Sequence, residues 1–464
     1  MTTVATSTLT TAAPPAKLGN LQFLGYAAGD AANNLAFSMT SFFLLVYYTD
    51  VVGISAAAAG TLFLVIRVWD AFADIFAGRV VDRTMTRWGK FRPFFLLAGP
   101  PVLLLSIATF TLPGQVDGGG ARLLAAYVTY GLLGLAYSLV NIPYGSLAAA
   151  MTQHPAERAK LASFRMIGTA LTTIMLALVV APQIQQYRGD PDGFQRSLLI
   201  TTVVFAVLGL VLYLVLFATA RESVQRDVEH VSARQSFTTL KRNRPLIMLC
   251  LSSLAFLTAL FSLQTVQVYY ARDVLGNATL LTALTVLSVG AIFFVAPLLP
   301  RLVRATGKKK AFLSFGAVGV LAGVGISVSP PSAPWVSMTF FAIMGVSTAG
   351  INTLMWALEA DTVEYGEWKT GVRTEGITYA LFSFTRKLGQ AIGGAVAAYV
   401  IALGGYAGGA AVQDERALDA IRYASGLIPV VFILLGMVIF FRYPLTEQTF
   451  ATIVAETQAR RAAR

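Results

Sequence analysis

Two carboxylates and a guanidinium interrupt an apolar run: Arg67-Val-Trp-Asp-Ala-Phe-Ala-Asp74 lies between Leu62–Ile66 and Ile75–Val81. On a helix, Asp70 and Asp74 are four residues apart and share a face, and Arg67, three residues before Asp70, falls on it too. If that run crosses a bilayer, the acids sit at membrane depth, where an uncompensated carboxylate is expensive. Compensation can come from a proton, a metal cation or the neighbouring guanidinium. One Arg neutralises one Asp but not both, so the stretch is a candidate cation-coupling site. The competing reading is an inert ion pair with Arg67.

Further polar residues recur inside apolar runs. Asp30 is followed by Asn33 and Asn34; Ser138, Asn141 and Gly145 share a face; Arg165 has Thr169 and Thr172 behind it. Gln264, Gln267, Asn352, Arg386 and Lys387 belong to the second half of the chain. Intramembrane ionisable residues face the bundle interior and mark pathways. Plainer readings stand beside this one: the amides as interhelical hydrogen bonds, Arg386 as a snorkelling or helix-end residue. Asp30, Asp70 and Asp74 balance Arg67, Arg165 and Lys387 in charge. A shared cavity of that kind can accept one cation or proton and change its conformational preference. Tyr26, Tyr137, Tyr144, Trp356 and Tyr379 offer rings on which the C–H face of a sugar stacks, or else they pack the core.

The elements that must position these groups follow from composition. Of 464 residues, 56% are hydrophobic and 12% charged, about half the charged share of a soluble domain. Apolar runs of about 20 residues recur throughout, each long enough to span a bilayer. The fold class expected is all-α integral membrane, with twelve transmembrane helices in two six-helix pseudo-repeats. The bundles occupy residues 20–220 and 245–443 and are joined by a cytoplasmic loop, 221–244. A disordered tail, 1–19, precedes them and a second cytoplasmic tail, 444–464, follows. Span two is expected over about 57–81, span ten over about 334–358 and span twelve over about 423–443.

Basic residues cluster after span two (Arg83, Arg87, Lys90, Arg92), in the central loop, and after span eight (Arg301, Arg304, Lys308, Lys309, Lys310). The bias puts both termini in the cytoplasm. It also accounts for the net charge of +12 without a nucleic-acid partner. Similar basic, glycine-bearing loops in both halves mark a transporter built from repeats. Cys250 is the only cysteine, and His154 and His230 fall in expected loops. No thiol, histidine or metal chemistry is therefore expected at membrane depth, no cofactor, and no enzymatic activity. Met1–Pro15 has no basic n-region and reads as a tail, not a signal peptide.

Longer stretches resemble the glycoside–pentoside–hexuronide:cation symporters, the melibiose permease relatives within the major facilitator superfamily. They are Gly25-Tyr-Ala-Ala-Gly-Asp30, Trp69-Asp-Ala-Phe-Ala-Asp74 through Arg87-Trp-Gly-Lys-Phe-Arg-Pro93, Asn141-Ile-Pro-Tyr144, Ala360–Gly371 with Glu375-Gly376, and Lys387-Leu-Gly389. The resemblance implies the major facilitator fold. It also implies cation-site roles for Asp70, Asp74 and Ser138, with Lys387 nearby, and sugar-site roles for Asp30 and Arg165. Asn34, Asn141, Tyr144 and Trp356 complete the candidate substrate set, and Arg67, Asp82 and Arg83 the coupling and gating set.

Two departures matter. The melibiose permeases carry an acid in place of Asn141 and an Asn in place of Ala73. Sodium needs several oxygen ligands and a proton needs one carboxylate, so the sequence favours H+ over Na+. A pocket that has lost an acid while keeping Arg165 tolerates an acidic glycoside better. The expected function is cation-coupled symport of a glycoside, pentoside or hexuronide across the inner membrane by alternating access. The expected partners are a small-molecule sugar and membrane lipid, with the protein acting as a monomer. The alternatives are a proton-coupled exporter of a lipophilic or drug-like compound and a non-transporting membrane sensor.

Overall fold

The computed structural model describes residues 18–152, 155–222, 243–371, 375–410 and 412–462. Most of the N-terminal tail, most of the central loop, His154 and His230 lie outside the described residues. Among the described residues twelve long helices are present: α1 Asn20–Val52, α2 Ala56–Arg83, α3 Arg92–Gln115, α4 Gly119–Met151, α5 Pro155–Gln186, α6 Pro191–Thr219, α7 Arg244–Val274, α8 Leu280–Thr306, α9 Lys308–Val328, α10 Pro334–Thr370, α11 Glu375–Leu403 and α12 Glu415–Phe441. A shorter α13, Glu447–Ala462, follows. Eleven of these described helices are long and apolar enough to cross a membrane. The twelfth, α11, has 29 residues; Arg386, Lys387 and several glycines dilute its hydropathy.

Local chemistry sets the helix ends. Ser55, Asp190 and Asn243 cap α2, α6 and α7 by accepting from the backbone N–H of Ala58, Gly193 and Leu246. Proline occupies the first turn of α3, α6, α7 and α10, where its missing N–H is harmless. The structure corrects two expected boundaries. Helix α10 runs on to Thr370 instead of stopping near 358, because nothing in Glu359–Lys369 breaks a helix before Gly371, whose φ of 73° ends it. Helix α12 starts at Glu415, earlier than 423, because its polar first turns still bury Ala417, Ala420, Ile421 and Ala424.

Helices α1–α6 and α7–α12 form two bundles that meet where α2 packs on α11, α5 on α8 and α1 on α7. Twelve crossings bring the two described ends to one face, the terminal face. At the opposite, far face the halves are sewn together: Thr49 bonds Tyr269, Asp50 bonds Arg272 and Tyr406, and Thr61 bonds Tyr399. One apolar core crosses both halves there through Tyr47, Tyr48, Tyr269 and Tyr270. A second core around Phe23, Tyr26, Phe95, Tyr144 and Tyr213 belongs to the first half alone. The molecule is thus closed at the far face.

Candidate functional site

Helix α2 carries the acids, and Trp69 orients it by donating from Nε1 to the Gly131 carbonyl of α4 at 2.9 Å. Arg67 Nη1 then reaches Asp70 Oδ2 at 3.0 Å across one helical turn. Asp70 Oδ1 is buried with no hydrogen-bond partner among the described residues. It lies against α4 where position 134 is glycine: a Cβ there would stand 2.2 Å from that oxygen. One turn further, Ser138 Oγ donates to Asp74 Oδ1 at 2.7 Å. Lys387 Nζ, from α11 in the other half, donates to Asp74 Oδ2.

On α1, Asp30 is almost fully buried and densely bonded. Arg165 Nε donates to its Oδ1 at 2.9 Å, and Asn34 Nδ2 and Thr169 Oγ1 donate to Oδ2. The three acids and three cations counted in the sequence are therefore matched one to one, as Asp30–Arg165, Asp70–Arg67 and Asp74–Lys387. Of these pairs, Asp74–Lys387 joins the two halves.

The other candidates fall into distinct places. The Arg165 guanidinium lies 5.3 Å over the Tyr144 ring. That ring is fully buried, stacks on Tyr26 at 4.7 Å, and donates its hydroxyl to the Tyr26 carbonyl. Tyr144 thus presents no face to a ligand in this conformation; it braces Arg165 from behind. Asn33, buried, accepts from Tyr213 of α6 at 2.8 Å, an interhelical bond within the first half. Asn141 is half-buried on α4. Trp356 remains 37% exposed and stacks with Tyr379 at 5.8 Å. Asp82 and Arg83 are exposed at the end of α2, with Asp82 paired to Lys90 at 2.9 Å. They stand about 18 Å along the helix from Asp70 and are not gathered with the acids.

Sequence reasoning missed the far-face cluster. Arg272 is buried between Asp50 and Asp273 and also donates to Tyr406, which in turn donates to Asp50 at 2.8 Å. A buried arginine announces that it needs an acid, but no local spacing points to one 222 residues away. Thr169 was visible one turn after Arg165, yet its bond to Asp30 was not.

Two bundles of six helices, sewn at one face around central ion pairs, define a secondary transporter of the major facilitator fold. Residues 25–447 match the family described as MFS/sugar transport protein, and the chain belongs to that family, within its glycoside–pentoside–hexuronide:cation symporter branch. It is 47% identical over 443 residues to the glucuronide carrier protein homolog of Escherichia coli (strain K12), covering 94% of this chain and 95% of that one. It is 32% identical to the isoprimeverose transporter of Lactiplantibacillus pentosus, covering 88% and 85%. Relatives at 33% and 34% identity are described as a putative sulfoquinovose importer and a putative 2,3-dihydroxypropane-1-sulfonate exporter. Among solved structures, an inward-facing, unoccupied bacterial homologue of the human lysosomal transporter Spinster shares the fold with a TM-score of 0.68 at 13% identity, over 93% and 97% of the chains. The chain is a multi-pass membrane transporter of the sugar-transport kind.

Proposed function

We propose that the protein imports a glycoside, with a hexuronide favoured, across the cytoplasmic membrane in symport with a proton. The observation that carries the reading is the Asp74–Lys387 pair, which holds the two halves together at mid-depth through an acid that Ser138 also serves. A cation or proton arriving at Asp74 competes with Lys387, so site occupancy and the packing of the halves become one variable. That is the differential affinity alternating access requires. The proton is favoured because Asp70 Oδ1, buried and unbonded, needs only a proton to become a donor, whereas Ala73 offers no oxygen to sodium.

The hexuronide is favoured by the description of the 47% identical relative as a glucuronide carrier homolog. The basic loops after α2 and α8 fall at the terminal face, which the positive-inside rule assigns to the cytoplasm. The conformation, closed at the far face, is then the inward-facing one.

The test is uptake into proteoliposomes under a pH gradient or a sodium gradient applied separately, with wild type and Asp74→Asn. Gradient-driven accumulation of a glucuronide that the variant loses, with exchange surviving, supports the reading, and the effective gradient identifies the ion. Normal accumulation by Asp74→Asn, or none by wild type under either gradient, overturns it.

A further inference from the structure

Among the described residues, four cations set inside the bundle come with acids. Arg67 has Asp70, Arg165 has Asp30, Lys387 has Asp74, and Arg272 has both Asp50 and Asp273. Arg386 is the exception: no described carboxylate lies within ion-pair distance of it. Its Nη1 donates to Asn352 Oδ1 at 3.0 Å and passes 4.0 Å from Met355 Sδ. Its guanidinium lies 4.9 Å over the Trp356 ring and 5.9 Å from that of Phe382. Rings on its face leave the in-plane N–H groups open, and a neutral amide takes only one of the five. An uncompensated guanidinium in this environment is costly, and cation–π attraction offsets only part of that.

Its position makes the deficit informative. Arg386 projects from α11 of the second half and is close enough to Arg165 of the first half for the two charges to act on each other, with Tyr379 in reach of both. Two cations, one from each half, therefore act on each other, one of them holding Asp30 and the other holding no described carboxylate.

We propose that Arg386, braced by Asn352 and Trp356, is the carboxylate-recognition subsite of the cavity and takes the uronate of an acidic glycoside as its missing counter-ion. The planar guanidinium fork matches a carboxylate with two parallel hydrogen bonds, which a lysine ammonium cannot reproduce. The sugar hydroxyls then fall to the Asp30–Asn34–Arg165 wall, and one ligand bridges both halves. This inference rests on the glycoside-transport reading above.

Counterflow exchange, which needs no ion gradient, separates the two. The full-length protein in proteoliposomes is assayed with p-nitrophenyl β-D-glucuronide and with p-nitrophenyl β-D-glucoside, for wild type, Arg386→Gln and Arg386→Lys. Removing a buried charge-assisted fork is expected to raise the KM for the glucuronide about 10- to 100-fold in Arg386→Gln, while the KM for the glucoside moves less than about threefold. Arg386→Lys keeps the charge and guards against a folding failure of the Gln variant; it too is expected to lose affinity for the glucuronide selectively. Equal losses for both probes, or no change for either, overturn the proposal. A wild type that exchanges neither probe overturns it together with the transport reading. Exchange without gradient-driven uptake overturns the coupling alone, and the subsite is still judged by the KM ratio.

Discussion

Two ion clusters cross between the halves, and they are built differently. At the far face, Asp50, Arg272, Asp273 and Tyr406 are mutually bonded and nearly sealed, with side-chain exposures of 8%, 10% and 2% for the three charged members. At mid-depth, the Asp74 and Lys387 side chains remain 27% and 26% exposed, and each half contributes one charge. The first arrangement suits a latch that holds a conformation; the second suits a contact that a small ion can dissolve. The difference follows from redundancy: a buried arginine shared by two acids survives the loss of one bond, whereas a one-to-one pair at a wetter site does not.

The largest effect is expected from breaking the latch. Arg272→Gln leaves Asp50 buried without its cation, while Asp273 keeps Arg188 at 3.5 Å; a loss of about 3–5 kcal/mol to the far-face-closed state is expected. A cysteine placed at Thr49 should change from protected to reactive toward an impermeant maleimide, against a low background because Cys250 is buried. Unchanged protection would remove the latch from the comparison.

Dissolving the mid-depth pair comes next. Asp74→Asn is expected to cut gradient-driven accumulation by the whole coupling term, about 1–3 kcal/mol. Adding Lys387→Gln should cost little more, since the two residues act as one unit. Strictly additive losses would show that they act separately.

Gly134→Ala sharpens the same region without altering a charge. The new Cβ, 2.2 Å from Asp70 Oδ1, must displace that carboxylate. An overpacking penalty of about 1–3 kcal/mol is expected, read as a lower apparent affinity for the coupling ion together with a modestly lower melting temperature. The smallest effect is expected at the rim of the far face, where Thr61→Val removes a 2.8 Å bond to Tyr399. That bond is exposed, so about 0.5–1.5 kcal/mol or less is at stake, read as a modest rise in far-face labelling.

Much of this was legible in the chain, and the limit is physical. Runs of apolar residues report spans because a bilayer imposes one length on every helix, so α2 and α4 lie where hydropathy places them. Arg67 and Asp70 were legible as a pair because both are on one helix, and three residues set their distance. Soluble extensions were not: Glu359–Thr370 continues α10 beyond the bilayer-length run, where hydropathy carries no signal. Tyr144 resembled a sugar platform from its neighbours in sequence, but packing against Tyr26 and Phe95 turned its ring into the core.

The sequence by itself determined a polytopic helical membrane protein, its repeated halves, and the helix faces that bear Asp30, Asp70, Asp74, Arg165 and Lys387, because hydrophobic run length and the 3.6-residue helical repeat are local properties. Only the tertiary structure decided which charge answers which. Pairing Asp74 with Lys387, and Asp50 with Arg272, depends on how two independent bundles dock. The same docking leaves Arg386 without an acid among the described residues, since charges on separate helices meet only when long-range packing brings them together.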